Sequence, residues 1–141
     1  MTFIPVQYID MMLMFSSPQG HFHRNLGRTV HTLHSGRGRY ILLHPQPSGK
    51  AKIETFVVGH DVAKGEKLQW VVEGGKYKAS YLLPDEEGGS TSDGLLISET
   101  VVPGFEFSDH DFMSVKTMDE WATEDQAKEL SWLLRKEEYI D

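Results

Sequence analysis

The chain of 141 residues contains no cysteine. Disulfides, thiolate metal sites and a cysteine nucleophile are therefore excluded, and the composition suits a reducing compartment. Positive charge is scarce. Lys and Arg number 14 against 21 Asp and Glu, a formal net charge of −7. Phosphate backbones are held by clustered cations, so no nucleic-acid partner is expected. No apolar run approaches the length that crosses a bilayer. Met1–Phe15 is interrupted by Asp10 and lacks a basic start and a small-residue cleavage site, so neither a signal peptide nor a membrane partner is expected. A cytoplasmic protein fits these absences. Nucleophile-elbow and phosphate-loop motifs are missing as well.

What is present suits a soluble globular protein, with 39% hydrophobic and 25% charged residues. The length suits a single domain spanning residues 1–141. Charge is unevenly spread. Arg24, Arg28, Arg37, Arg39 and Lys50 face only Asp10 in the first fifty residues, and the acidic excess lies beyond them. Five histidines, His21, His23, His31, His34 and His44, share that basic stretch. Such a cluster can bind a metal, titrate near neutral pH or receive an anionic small molecule. The arginines read more simply as solvent-facing strand residues.

Short β-rich segments dominate up to about residue 112: Gln7–Phe15, Thr29–His34, Arg39–His44, Lys52–Val58, Lys67–Val72, Tyr77–Leu83 and Leu95–Val102. Gly-, Pro- and Ser-rich turns separate them, which predicts an antiparallel sandwich or barrel over about 7–112. Thr123 and Gln126 form a capping-box pattern, and Ala127, Leu130, Leu133 and Leu134 recur at helical spacing. One helix is predicted over about 124–136, packed on the barrel or on a second subunit. Met11, Met12 and Met14 read as ordinary packing. Asp109-His110-Asp111 reads as a solvated turn.

The strongest local signal is Gly20-His21-Phe22-His23-Arg24. In a regular strand His21 and His23 project to one face and offer two metal ligands, or an acid and a base. Thr29, His31 and Leu33 share a face of the next strand. This first stretch, the Trp70–Ala79 segment with its Gly74-Gly75 turn, and the ending Pro103-Gly104-Phe105-Glu106-Phe107 together resemble the cupin superfamily. The resemblance is to its DUF985-like branch of unassigned function, with a Pro-Gly-Phe-(Asp/Glu)-Phe ending. It implies an all-β double-stranded β-helix, a jelly-roll barrel, with a C-terminal helix, and a homodimer. It also implies a metal site of three histidines and one carboxylate, from which this chain departs. Only His21 and His23 stand at ligand positions; Thr29 replaces the acidic residue, and Lys78 replaces the second-motif histidine. No cofactor is therefore expected. A divalent metal, if present, would draw on His21, His23 and His31.

An inward Lys78 would sit among apolar walls and imidazoles, either as a neutral amine or as a cation binding an oxyanion. Its candidate acceptors are Glu99, Thr29 and a neutral His23. The leading expectation is an enzyme of the isomerase or lyase kind, moving a proton on an oxygen-rich small molecule held in the barrel. His23 and Lys78 would be catalytic, with His21, Thr29, His31 and Glu99 shaping the substrate pocket. A cupin that binds a sugar or metabolite without turnover, and a metal-dependent oxygenase or isomerase, are the alternatives.

Overall fold

The computed structural model describes residues 8–14 as backbone and residues 19–136 in full. The side chains of Met11, Met12 and Met14 lie outside the described residues. The strands are β1 (Tyr8–Met14), β2 (Gln19–Asn25), β3 (Arg28–Ser35), β4 (Gly38–His44), β5 (Lys52–Val58), β6 (Gln69–Val72), β7 (Tyr77–Leu82), β8 (Leu95–Val102) and β9 (His110–Phe112). They build two antiparallel sheets, ordered β1-β8-β3-β6 and β5-β4-β7-β2-β9. This is the jelly-roll barrel that the strand pattern and the family resemblance both implied.

The core has two parts. Leu33, Trp70, Val72, Leu95 and Ile97 of the four-stranded sheet meet Tyr40, Leu42 and Val58 of the five-stranded sheet in the barrel interior. Phe22, Ile41, Leu43, Tyr77 and Ala79 point from the other face of the five-stranded sheet onto Met113, Met118, Leu130 and Leu133 of the C-terminal segment. Strands β4 and β7 are thus covered on both faces. That explains the continuous run Tyr40-Ile41-Leu42-Leu43, where a half-exposed strand would alternate.

The C-terminal segment differs from the expected single helix over 124–136. It folds as α1 (Val115–Trp121), α2 (Glu124–Leu130) and a 3₁₀ turn at Ser131–Leu133. Ser114 caps α1 by accepting from the Thr117 backbone N–H. Met113 before the cap and Met118 within the helix are both buried in the outer core, the arrangement of a hydrophobic staple. The capping box of α2 forms as predicted, with both the Thr123 and the Gln126 bonds in place. The helix stops early because the Ser131 hydroxyl donates back to the Lys128 carbonyl and Trp132 packs on Tyr81 of β7.

A second correction concerns Asp109-His110-Asp111. This segment is no solvated turn: a 3₁₀ turn at Phe107–Asp109 leads into β9, which pairs with β2 through Asn25↔His110, Arg24↔Asp111 and His23↔Phe112. Asp111 anchors it by accepting from Arg24 Nε at 2.7 Å and from the Tyr77 hydroxyl at 2.9 Å. The uneven charge along the sequence is resolved the same way. Arg28 pairs with Glu73 and Arg37 with Glu66, so cations from the first third meet carboxylates from later segments.

Candidate functional site

Among the described residues the barrel interior is apolar except along one strip, where both sheets contribute charged or polar side chains. Lys78 lies on β7 between two outward core residues, Tyr77 and Ala79, so strand alternation turns it into the barrel. It is 1% exposed. Its Nζ stands 2.7 Å from His31 Nε2 and donates to Glu99 Oε2 at 3.1 Å. His31 and Glu99 are direct neighbours in the β3–β8 register, so one lysine from the five-stranded sheet bonds to an adjacent pair on the other sheet. The His31 ring is fully buried. It stacks on the Trp70 indole at 5.1 Å with the planes 7° apart, and meets the edge of Tyr40.

His23 is the register partner of Lys78 on β2 and is half-buried. Its Nδ1 lies 2.8 Å from the His21 carbonyl oxygen. A carbonyl can only accept, so Nδ1 carries the proton and Nε2 keeps its lone pair. The His110 ring of β9 lies 5.3 Å from the His23 ring. Thr29, 1% exposed, accepts at Oγ1 from Asn25 Nδ2 at 3.2 Å, and so closes the strip at its other end.

The protonation states follow from burial and one ion pair. Burial pushes His23 down to about 4, with the Lys78 charge adding to it, so this imidazole is neutral at physiological pH. Burial and Lys78 also lower His31, and its contacts with Glu99 and the Trp70 backbone only partly offset them. Burial lowers Lys78 while Glu99 holds it up. For Glu99, burial alone would raise the carboxyl, but the Lys78 charge beside it keeps it far below the usual carboxylate range. The assembly that fits these directions is an ammonium donating to a carboxylate and to a neutral imidazole.

His21 does not join this strip. Gly20 pairs with Ser80 and His23 with Lys78, so β2 places two residues, His21 and Phe22, opposite Ala79 alone. The bulge breaks the period of two on which a shared His21–His23 face rested. The His21 ring instead lies 3.4 Å from Gln19 Nε2, which also donates to the Trp132 carbonyl on the helical side of the sheet. Thr29, His31, Glu99, Lys78 and His23 are brought together; His21 is not. Among the described residues no three His, Asp or Glu side chains are grouped to hold a metal ion. The donor set does not fit a resident divalent cation, because the Lys78 ammonium bonds to both His31 and Glu99 and would repel it.

Sequence reasoning missed Asn25, His110 and the Trp70 stack. Asn25 and His23 are two residues apart on a regular stretch of β2, so extending the alternation past His23 would have found the first. No local signal marked His110 or Trp70, which reach the strip from other strands.

Two antiparallel sheets packed over a shared core, with a polar strip between them, define a jelly-roll barrel. Residues 6–113 match the family described as Cupin superfamily (DUF985), and the chain belongs to it. The uncharacterized protein YML079W of Saccharomyces cerevisiae is 48% identical over 105 residues, which is 74% of this chain and 49% of that relative. The chain thus spans about half the length of the curated relative it matches. Protein SO0799 from Shewanella oneidensis has a TM-score of 0.72 at 23% identity, covering 91% of this chain and 73% of that one. A dTDP sugar isomerase from Desulfovibrio desulfuricans has a TM-score of 0.58 at 8% identity, over 81% and 67% of the two chains. At these identities the structural likenesses show the fold.

Proposed function

We propose that the protein is an acid–base enzyme of the isomerase or epimerase kind, acting on a small oxygen-rich carbonyl compound inside the barrel. The observation that carries this reading is the pairing of His23 with Lys78 across β2 and β7, one a neutral imidazole with a free Nε2, the other a buried ammonium. His23 Nε2 takes a proton from the carbon beside the substrate carbonyl. The Lys78 ammonium faces the oxygen on which negative charge develops, in a site where low polarity strengthens that attraction. Glu99 keeps Lys78 charged, and His31 accepts a hydrogen bond from it and fixes its direction. Return of the proton from His23 to the former carbonyl carbon, as the proton of the adjoining hydroxyl moves to the former carbonyl oxygen, completes an isomerisation. An epimerisation needs a proton delivered to the opposite face of the same carbon, for which the Lys78 ammonium is the available acid. No metal is needed for these steps.

The test is deuterium exchange. D-fructose, D-tagatose, D-xylulose and their phosphate esters are incubated with the protein in D2O, and exchange beside the carbonyl is followed by proton NMR. The expected result is catalysed exchange that falls at least about 100-fold in His23→Ala, the lower range of general-base contributions. Saturable binding with no exchange in the wild type would overturn the enzymatic reading in favour of a binding module.

A further inference from the structure

The polar strip continues one step past the lysine cluster. Asn25 follows His23 by two residues on β2, is 7% exposed, and donates through Nδ2 to Thr29 Oγ1 on β3. That bond also joins the two sheets, as the Lys78–Glu99 bond does. Asn25 Oδ1, however, is buried and has no hydrogen-bond partner. A buried acceptor left without a donor is destabilising, and native interiors rarely keep one. The side chain is held in place at its nitrogen end and unpaired at its oxygen end, on the face of the strand that carries His23.

The spacing adds a second constraint. Two residues along a strand cover about 6.8 Å, so Asn25 stands roughly that far from His23, and Thr29 equally far from His31. A molecule with its reacting carbon at His23 and Lys78 therefore reaches Asn25 with a group several bonds away. That group must be a donor. Carboxylates and phosphate dianions bring acceptors only, and an alkyl group brings nothing, whereas a hydroxyl donates. We propose that Asn25 Oδ1 accepts a hydrogen bond from a hydroxyl of the bound molecule, which makes the ligand a polyhydroxylated carbonyl compound of the ketose kind and not a keto acid. The inference rests on the acid–base reading for the place of the reacting carbon, while the contact itself is read by binding.

Calorimetric titration of the whole protein with D-fructose, D-tagatose and D-xylulose and with their monodeoxy analogues tests it, with pyruvate and 2-oxoglutarate as carbonyl compounds that lack hydroxyls. At least one ketose binds, and loss of one particular hydroxyl weakens it by about tenfold or more, the usual value of one buried hydrogen bond. Asn25→Leu weakens the parent ketose by a similar factor and leaves that deoxy analogue nearly unaffected, so the discrimination disappears. Asn25→Asp, which keeps an acceptor oxygen at the same place, retains it. Asn25→Ala replaces the leucine variant if thermal melting shows that leucine is not accommodated.

The proposal is overturned if no ketose binds the wild type at about 10 mM, far above the range of specific sites. It is overturned equally if the keto acids bind instead, or if Asn25→Leu discriminates among the deoxy analogues as the wild type does, in which case a buried water satisfies Oδ1. Asn25-dependent binding without deuterium exchange would overturn the catalytic reading and leave this contact standing. His23-dependent exchange without Asn25 discrimination would do the reverse.

Discussion

Lys78 and Glu99 meet across the barrel interior with Nζ 3.1 Å from Oε2, their side chains only 2% and 13% exposed. The pair ties β7 of one sheet to β8 of the other, and each charge is compensated mainly by its partner. A pair of this kind is a weak source of net stability, yet breaking it from one side strands a buried charge. Lys78→Met is therefore expected to destabilise the protein by about 3–5 kcal/mol, and Lys78→Met/Glu99→Leu to recover most of that. Urea denaturation of the two single variants and the double variant measures the coupling. Purely additive losses would mean that the two charges do not depend on each other.

Stability should fall with acid through His23. Its folded-state pKa of about 4 lies below the ordinary value of 6.5. Between these values the unfolded chain binds more protons, so stability rises with pH, is complete above about 6.5 and is lost as pH falls toward 4. The contribution is at most about 3 kcal/mol, from roughly 1.4 kcal/mol per unit of displacement. Urea midpoints at pH 7 and pH 5 should differ less in His23→Asn than in the wild type. An equal difference in both would assign the acid sensitivity to other groups.

The Lys78 charge is the second cause that holds His23 down, after burial. Lys78→Met removes that charge and leaves Glu99, which pulls the other way. The His23 pKa is expected to move up from about 4, read from the pH dependence of its ring nitrogen chemical shifts. The acidic limb of the rate profile should move with it. A His23 titration unchanged by the substitution would rule out the proposed electrical contact between the two.

Two glycines of the chain answer to different constraints. A Cβ on Gly74 would overlap the Leu26 carbonyl oxygen, and backbone has no room to yield. Gly65 faces open space but has φ of +84°. Gly74→Ala is expected to destabilise by about 2–4 kcal/mol, in the range of severe single substitutions. Gly65→Ala should cost about 1–2 kcal/mol, the strain of a left-handed residue with a side chain. Thermal unfolding of both variants checks the order, and a Gly65→Ala more damaging than Gly74→Ala would contradict it.

Much of the fold was legible because strands announce themselves locally. Lys52–Val58 and Leu95–Val102 lie where composition and turn signals put them, and the Thr123–Gln126 capping box begins α2 as read. The segment from Asp109 to Trp121 was not legible in the same way. Strand β9 has three residues and exists through its pairing with β2, and α1 has seven residues and depends on the outer core for its burial. Elements this short have little intrinsic stability, so their neighbours decide them. The Ser114 cap and the Met113–Met118 staple were the local traces of α1.

By itself the sequence determined the class of fold and the absence of thiol chemistry, because each depends on residue type and on periodicity within a strand, while the motif resemblance made Lys78 an inward-facing candidate. Only the tertiary structure decided which polar groups meet. Bulging of β2 at His21 and Phe22 removes His21 from the strip, whereas the register of three other strands brings Lys78, His31 and Glu99 within hydrogen-bonding distance. Pairing between sheets is set by how two twisted surfaces pack over a shared core, and alternation along one strand carries no information about it.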